Sequence, residues 1–261
     1  MTHDGHDIAA GALSTGHRVR RGLARTIAVI LIIALLATTS VLFYASMVMR
    51  GDRLAAIEAW ENPAVSITST NHSIVIEPAG ESADVGLVFI PGAKVDPYAY
   101  LYKLSALAES DGVTVVITKP TLNLAFFDQR PLSTFTADAP GIASWYVGGH
   151  SLGGVRACQL ADSPDVAGLI LFGSYCANDL SESSLAVLSI AASEDGLSTA
   201  TKIEAAAHLL PASATFVVID GGNHSGFGDY GHQSGDGEAT LTSAEIREAI
   251  TIAVSEFLAA G

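Results

Sequence analysis

The apolar positions divide the chain into two unlike parts. From Thr26 to Met49, 24 residues carry no charge and are dominated by Ile, Leu, Val and Ala. At about 1.5 Å per residue such a helix crosses a hydrocarbon layer roughly 30 Å thick. A core helix of a globular domain would show a polar face over that length. After Arg50 the apolar runs become short and regular. Asp52 to Glu61 reads as a helix stopped before Pro63, and Val65–Ser69 and Ser73–Glu77 alternate as an antiparallel strand pair does. Strands then follow at Val85–Ile90, Val113–Thr118, Trp145–Gly148, Val166–Phe172, Val187–Ala192 and Ala214–Ile219. Helices are predicted at Pro97–Glu109, from Leu152 to Ala161, at Thr199–Leu209 and at Ser243–Ala259. The last opens with Thr242-Ser243-Ala244-Glu245, a capping box.

Continuous apolar strands alternating with amphipathic helices predict a mostly parallel sheet of about eight strands, covered by helices on both faces. The stretch between Phe172 and Val187 is too short for a cap domain, so an open site is expected. The expected organisation is a tail at 1–25, a membrane-spanning helix at 26–49, a linker at 50–64 and an α/β domain at 65–261.

Charge refines this picture. Arg18, Arg20, Arg21 and Arg25 precede the long apolar run and only Arg50 and Arg53 closely follow it. The positive-inside bias therefore places the amino terminus in the cytoplasm and the α/β domain outside. A cleaved signal peptide is the alternative, but its apolar stretch is usually about 7–15 residues. An uncleaved anchor is preferred, and both readings export the domain. With −14 overall and +3 in residues 1–53, the remainder carries −17, which argues against a nucleic-acid partner. The tail mixes Gly, His, Asp and Ser and is expected to be disordered; its His3, Asp4, His6 and Asp7 read more simply as solvated residues than as cation ligands. Cys158 and Cys176, the two cysteines, are expected to remain unpaired and buried.

The chemistry concentrates at Gly148-Gly149-His150-Ser151-Leu152-Gly153-Gly154. A strand, a glycine-flanked serine and a helix, in that order, place a serine on a sharp strand-to-helix turn, where large neighbours would collide. A serine hydroxyl needs a base to take its proton, and the base needs an acid to hold its tautomer. On a parallel sheet these groups gather after the carboxyl ends of strands. Asp195, in Ser193-Glu194-Asp195-Gly196, is the expected acid, with Glu194 as the alternative. His224, in Gly221-Gly222-Asn223-His224, is the expected base, with His232 as the alternative. The oxyanion donors are expected to be the N–H groups of Leu152 and Ala93, or Gly92 in place of the latter, because Pro91 has none. The loop from Ser225 to Gly237 holds Asp229, His232 and Asp236; it reads as a cation site, a wall of the substrate cleft or a flexible turn. Tyr98, Tyr100, Tyr102, Phe126 and Phe127 read as acyl-pocket or core residues.

These segments, with Phe89-Ile90-Pro91-Gly92-Ala93, make Val65 to Ala259 resemble the α/β-hydrolase superfamily. The resemblance is to its small, lidless members related to dienelactone hydrolases. It implies an α/β-hydrolase fold, Ser151 as nucleophile, Asp195 as acid, His224 as base, and no cofactor or metal. Two departures stand out: dienelactone hydrolases proper use a cysteine nucleophile, and Pro91-Gly92 replaces the usual His-Gly before the oxyanion loop. The expected function is hydrolysis of a small carboxylic ester, thioester or amide outside the membrane. Acyl transfer by the same residues, or a catalytically silent binding module, are the alternatives.

Overall fold

The computed structural model describes residues 7–260. The residues through Met47 and those from Val48 onward form two separate compact units. The first is a single helix, α1 (Asp7–Ser46). Within it, Arg20–Ser46 is the one span among the described residues long and apolar enough to cross a membrane, with a mean hydropathy of 2.6. Two expectations change here. The segment read as a disordered tail is helical from Asp7, while His3, Asp4 and His6 lie outside the described residues. The helix also stops at Ser46, short of Met49, because Met49 joins the second unit by a parallel bridge to Val95.

The second unit begins with α2 (Arg53–Glu61), capped by Asp52, whose carboxylate accepts the Ala55 N–H at 2.9 Å. Next come β1 (Val65–Ser69), β2 (Ser73–Pro78), β3 (Val85–Ile90), a 3-10 turn running into α3 (Leu101–Asp111), and β4 (Thr114–Thr118). Two further 3-10 turns precede α4 (Ser133–Thr136), β5 (Ser144–His150) and α5 (Leu152–Leu160). The chain ends with β6 (Val166–Phe172), β7 (Ala186–Ala192), α6 (Ala200–Ala206), β8 (Thr215–Ile219) and α7 (Ser243–Ala260). The eight strands form one sheet in the order β1-β2-β4-β3-β5-β6-β7-β8. β1–β2 and β2–β4 pair antiparallel, and every other pair is parallel.

Alternation along each strand builds two cores. Leu87 and Phe89 of β3 face one layer with Leu101, Leu104 and Leu107 of α3 and Ile246, Ile250 and Val254 of α7. Val88 and Ile90 face the other, with Phe135 of α4 and Ala157 and Cys158 of α5. The sheet is thus covered on both sides, as its unbroken apolar strands require. The capping box forms as expected: Thr242 N–H donates to Glu245 Oε2 at 2.7 Å, and Glu245 N–H to Thr242 Oγ1 at 3.3 Å.

The cysteines overturn their expectation. Cys158 of α5 and Cys176 in the loop after β6 form a disulfide, with Cα atoms 5.5 Å apart. α5 packs against the carboxyl end of β6, so residues 18 apart in sequence become neighbours. Spacing alone does not reveal that contact.

Candidate active site

β5 runs two residues further than its aromatic start suggests, because Gly148, Gly149 and His150 stay in register with Ile170, Leu171 and Phe172 of β6. The chain then turns sharply at Ser151, which has φ 52° and ψ −124° and serves as the N-cap of α5. A non-glycine residue at positive φ is strained and persists only where its surroundings hold it. Here they are glycine-lined: a Cβ on Gly149 would lie 2.5 Å from the Gly153 carbonyl carbon. A Cβ on Gly153 would lie 2.0 Å from the Ile90 carbonyl oxygen. The second approach presses the start of α5 against the loop after β3. From the other side, Ser151 N–H donates to Phe172 O at 3.1 Å, and Ser174 Oγ donates to Ser151 O at 2.7 Å.

The predicted acid and base meet. His224 Nδ1 lies 2.7 Å from Asp195 Oδ2, and both side chains are buried. A carboxylate only accepts, so Nδ1 carries the proton and Nε2 is left as the basic nitrogen. Asp195 is itself immobilised, its Oδ1 accepting the N–H groups of Leu197 and Ser198, each at 2.7 Å. The chain next to Ser151 approaches this pair. A Cβ on Gly173, next to Phe172, would lie 3.0 Å from Asp195 Oδ2. The ring of His150, the residue before Ser151, sits 4.4 Å from the His224 ring. His224 makes its side-chain hydrogen bond to Asp195 and none to Ser151 Oγ, and catalytic hydrogen bonds are often long in substrate-free enzymes.

The alternatives fall elsewhere. Glu194 is exposed and accepts from the Ser193 hydroxyl at 3.1 Å. His232 is exposed and lines an open cleft with Asp52, Lys103 and Asp229 that does not include Ser151.

The loop after β3, where the second oxyanion donor is expected, is held by a group that the sequence does not advertise. Gly92 N–H donates to the buried Tyr100 hydroxyl at 2.9 Å, and that hydroxyl lies 2.9 Å from His150 Nδ1. Burial, then the nearby His224, hold the His150 pKa well below its usual value, so the ring is neutral. Burial also pushes the Tyr100 pKa up, so its hydroxyl keeps its proton and can donate it in a hydrogen bond to His150 Nδ1. Gly92 is therefore occupied, and the next amide, Ala93, is the one available beside that of Leu152 at the start of α5. Tyr100 is in the core, so it is not an acyl-pocket wall. Nor are Tyr98, whose hydroxyl pairs with Ser69 at 2.9 Å, and Tyr102, which lies under the Arg247 guanidinium. Phe126 and Phe127 are exposed on the segment after β4, where Asn123 O accepts the Lys94 N–H at 2.7 Å.

The Ser225–Gly237 loop is ordered by its own carboxylates, which act apart. Asp229 pairs with the fully buried Lys103 at 2.7 Å, whereas Asp236 binds backbone N–H groups. No cluster of three metal-ligating side chains occurs among the described residues.

A family model described as the alpha/beta hydrolase family matches residues 86–248, well over half of the chain and the whole stretch from β3 into α7. The chain belongs to the alpha/beta hydrolase family. Among curated proteins none matches it by sequence. Solved structures share its fold at low identity. A carboxylesterase from Bacillus subtilis is 12% identical with a TM-score of 0.54, over 79% of this chain and 95% of that one. An esterase from Pyrobaculum calidifontis is 17% identical with a TM-score of 0.56, over 79% and 89%. The esterase domain of a Rhodothermus marinus protein is 14% identical with a TM-score of 0.55, over 74% and 97%. In this alpha/beta hydrolase the elbow, the oxyanion loop and the Asp195–His224 pair all stand at the carboxyl ends of the parallel strands, where ligands bind open α/β sheets.

Proposed function

We propose that this protein is a serine hydrolase of small carboxylic esters, acting on the outer side of the membrane that α1 spans. The observation that carries the reading is a buried His224 whose Nδ1 is held by Asp195, in a fold that also sets Ser151 on a strained elbow. In the reaction, Ser151 Oγ attacks the ester carbonyl as His224 Nε2 takes its proton. The resulting imidazolium stays paired with Asp195, and its proton passes to the leaving alkoxide as the acyl-enzyme forms. Water, activated by the same nitrogen, then releases the acid and restores Ser151. The Leu152 and Ala93 amides stabilise the oxyanion of both tetrahedral intermediates, Leu152 with the aid of the α5 helix dipole. The esterases among the structural neighbours favour an ester over an amide as substrate. The arginine bias around α1 and the Cys158–Cys176 bridge, a bond that persists in oxidising compartments, both favour the outer side.

Fluorophosphonate labelling tests the reading. The folded wild-type chain should be labelled and should turn over short-chain p-nitrophenyl esters, and Ser151→Ala should abolish both. Folded wild-type protein that is neither labelled nor active would refute it.

A further inference from the structure

Asp236 lies in the glycine-rich loop beyond β8, 12 residues after His224 and 41 after Asp195. Its carboxylate nevertheless accepts from the backbone of both segments. Oδ1 receives the N–H of Gly196 at 3.2 Å, of His224 at 3.1 Å and of Gly237 at 2.9 Å. Oδ2 receives the N–H of Ser225 at 2.8 Å. Gly196 is the residue after Asp195, so one partly buried side chain joins the acid's loop to the base's own backbone.

The surrounding chain is shaped for this junction. A Cβ on Gly196 would lie 2.4 Å from Gly235 O, and one on Gly237 would lie 2.1 Å from Glu194 O. The segments at 194–196 and 235–237 thus touch main chain to main chain. Asn223 closes the third side, donating from Nδ2 to Gly237 O at 2.8 Å and accepting the Gly226 N–H at 2.9 Å.

We infer that Asp236 is a positioning residue that sets the register of His224 against Asp195, and with it the aim of His224 Nε2 at Ser151. This deepens the Ser151–His224–Asp195 reading and rests on it. Charged acceptors make the stronger hydrogen bonds to N–H groups, and one carboxylate can serve four of them where a neutral side chain cannot. The two loops also meet through Glu194 N–H to Gly222 O and Gly221 N–H to Ser193 Oγ, each at 2.8 Å, but among these side chains Asp236 alone reaches the His224 amide itself. A misplacement on the order of 1 Å at a catalytic group is enough to cost about 100-fold in rate.

The test uses the full chain with Asp236→Ala and Asp236→Asn; the latter keeps one acceptor oxygen and the side-chain volume. Two readouts are needed. The first is the far-downfield proton resonance of the His224 Nδ1–H bonded to Asp195, assigned by its loss in His224→Gln. The second is kcat and KM on a short-chain ester. The expected result is a kcat about 100-fold lower in Asp236→Ala and about 10-fold lower in Asp236→Asn. KM should change by less than about threefold, with the resonance shifted or broadened in both variants and the fold retained in Asp236→Asn. Wild-type kcat with an unchanged resonance in both variants would overturn the assignment, as would activity lost only in proportion to the unfolded fraction. If the wild-type chain shows the resonance but hydrolyses no ester, the hydrolase reading fails by itself, and the resonance alone decides the role of Asp236.

Discussion

Removing the Cys158–Cys176 bridge should cost this fold a measurable part of its stability and should do so next to the nucleophile. The bridge closes a loop of 18 residues. In the chain-entropy account, a loop of that length restricts the unfolded chain by about 3 kcal/mol. Both cysteines are fully or almost fully buried, so replacing them by alanine also removes packed sulfur from the α5 layer. That adds on the order of 1 kcal/mol. For a unit the size of Val48–Gly261, each kcal/mol lowers the melting temperature by about 2–4 °C, so Cys158→Ala/Cys176→Ala should melt roughly 8–16 °C below wild type. Activity should fail at a correspondingly lower temperature, because Cys176 stands two residues after Ser174, whose hydroxyl supports the Ser151 carbonyl. The assay is a circular-dichroism melt of the full chain, variant against wild type, each with and without a phosphine reductant. Reductant should lower the wild-type transition and leave the variant unchanged. Free thiols titrating in unreduced, denatured wild type would refute the reasoning, as would a variant that melts within about 2 °C of it.

Two other outcomes follow from buried groups. Tyr100→Phe leaves the buried Gly92 N–H and His150 Nδ1 without partners, a loss of about 1–3 kcal/mol in urea unfolding. It also frees the oxyanion loop, so kcat should fall about 10-fold with KM nearly constant; an unchanged kcat would remove Tyr100 from the support of that loop. His150 is held neutral in the fold by burial and by His224, whereas an unperturbed histidine titrates near 6.5. Below that value the unfolded chain takes up a proton that the folded chain refuses. Stability should therefore fall as pH drops below about 6.5, by at most about 1.4 kcal/mol per pH unit from this residue, with no contribution above. Urea midpoints at pH 5 and pH 7.5 should differ less in His150→Asn than in wild type, and equal differences would sink the idea.

The strands were legible because a parallel sheet buried on both faces demands unbroken apolar runs, and Val85–Ile90 and Val166–Phe172 end where the runs end. β5 was read two residues short because Gly149 and His150 carry no strand signal of their own; only pairing with β6, and for Gly149 with β3, keeps them extended. Ser151, Asp195 and His224 were legible for a topological reason: each follows a strand whose identity the pattern reveals. Tyr100 was read as an acyl-pocket or core residue; it packs in the core with Leu104 and Leu107, and nothing local shows what its hydroxyl meets. Phe216 and Val218 of β8 mislead in the opposite sense. They lie in a strand of a sheet expected to be covered on both faces but are about half exposed, β8 being the edge of the sheet.

What the motif leaves out has a common physical form. Each piece of the candidate site is held from behind by a polar side chain outside its own motif: Ser174 under the elbow, Tyr100 under the loop after β3 and Asp236 under the acid and base loops. All three bind backbone groups, and backbone groups are the same at every residue, so no pairing rule links their types to the residues they support. Such contacts fix geometry without contributing reactive atoms, which is what a preorganised site needs. A motif therefore identifies the atoms that react, while the structure identifies those that hold them. It follows that changes at Ser174, Tyr100 and Asp236 should alter kcat more than KM, although none of the three need touch the substrate.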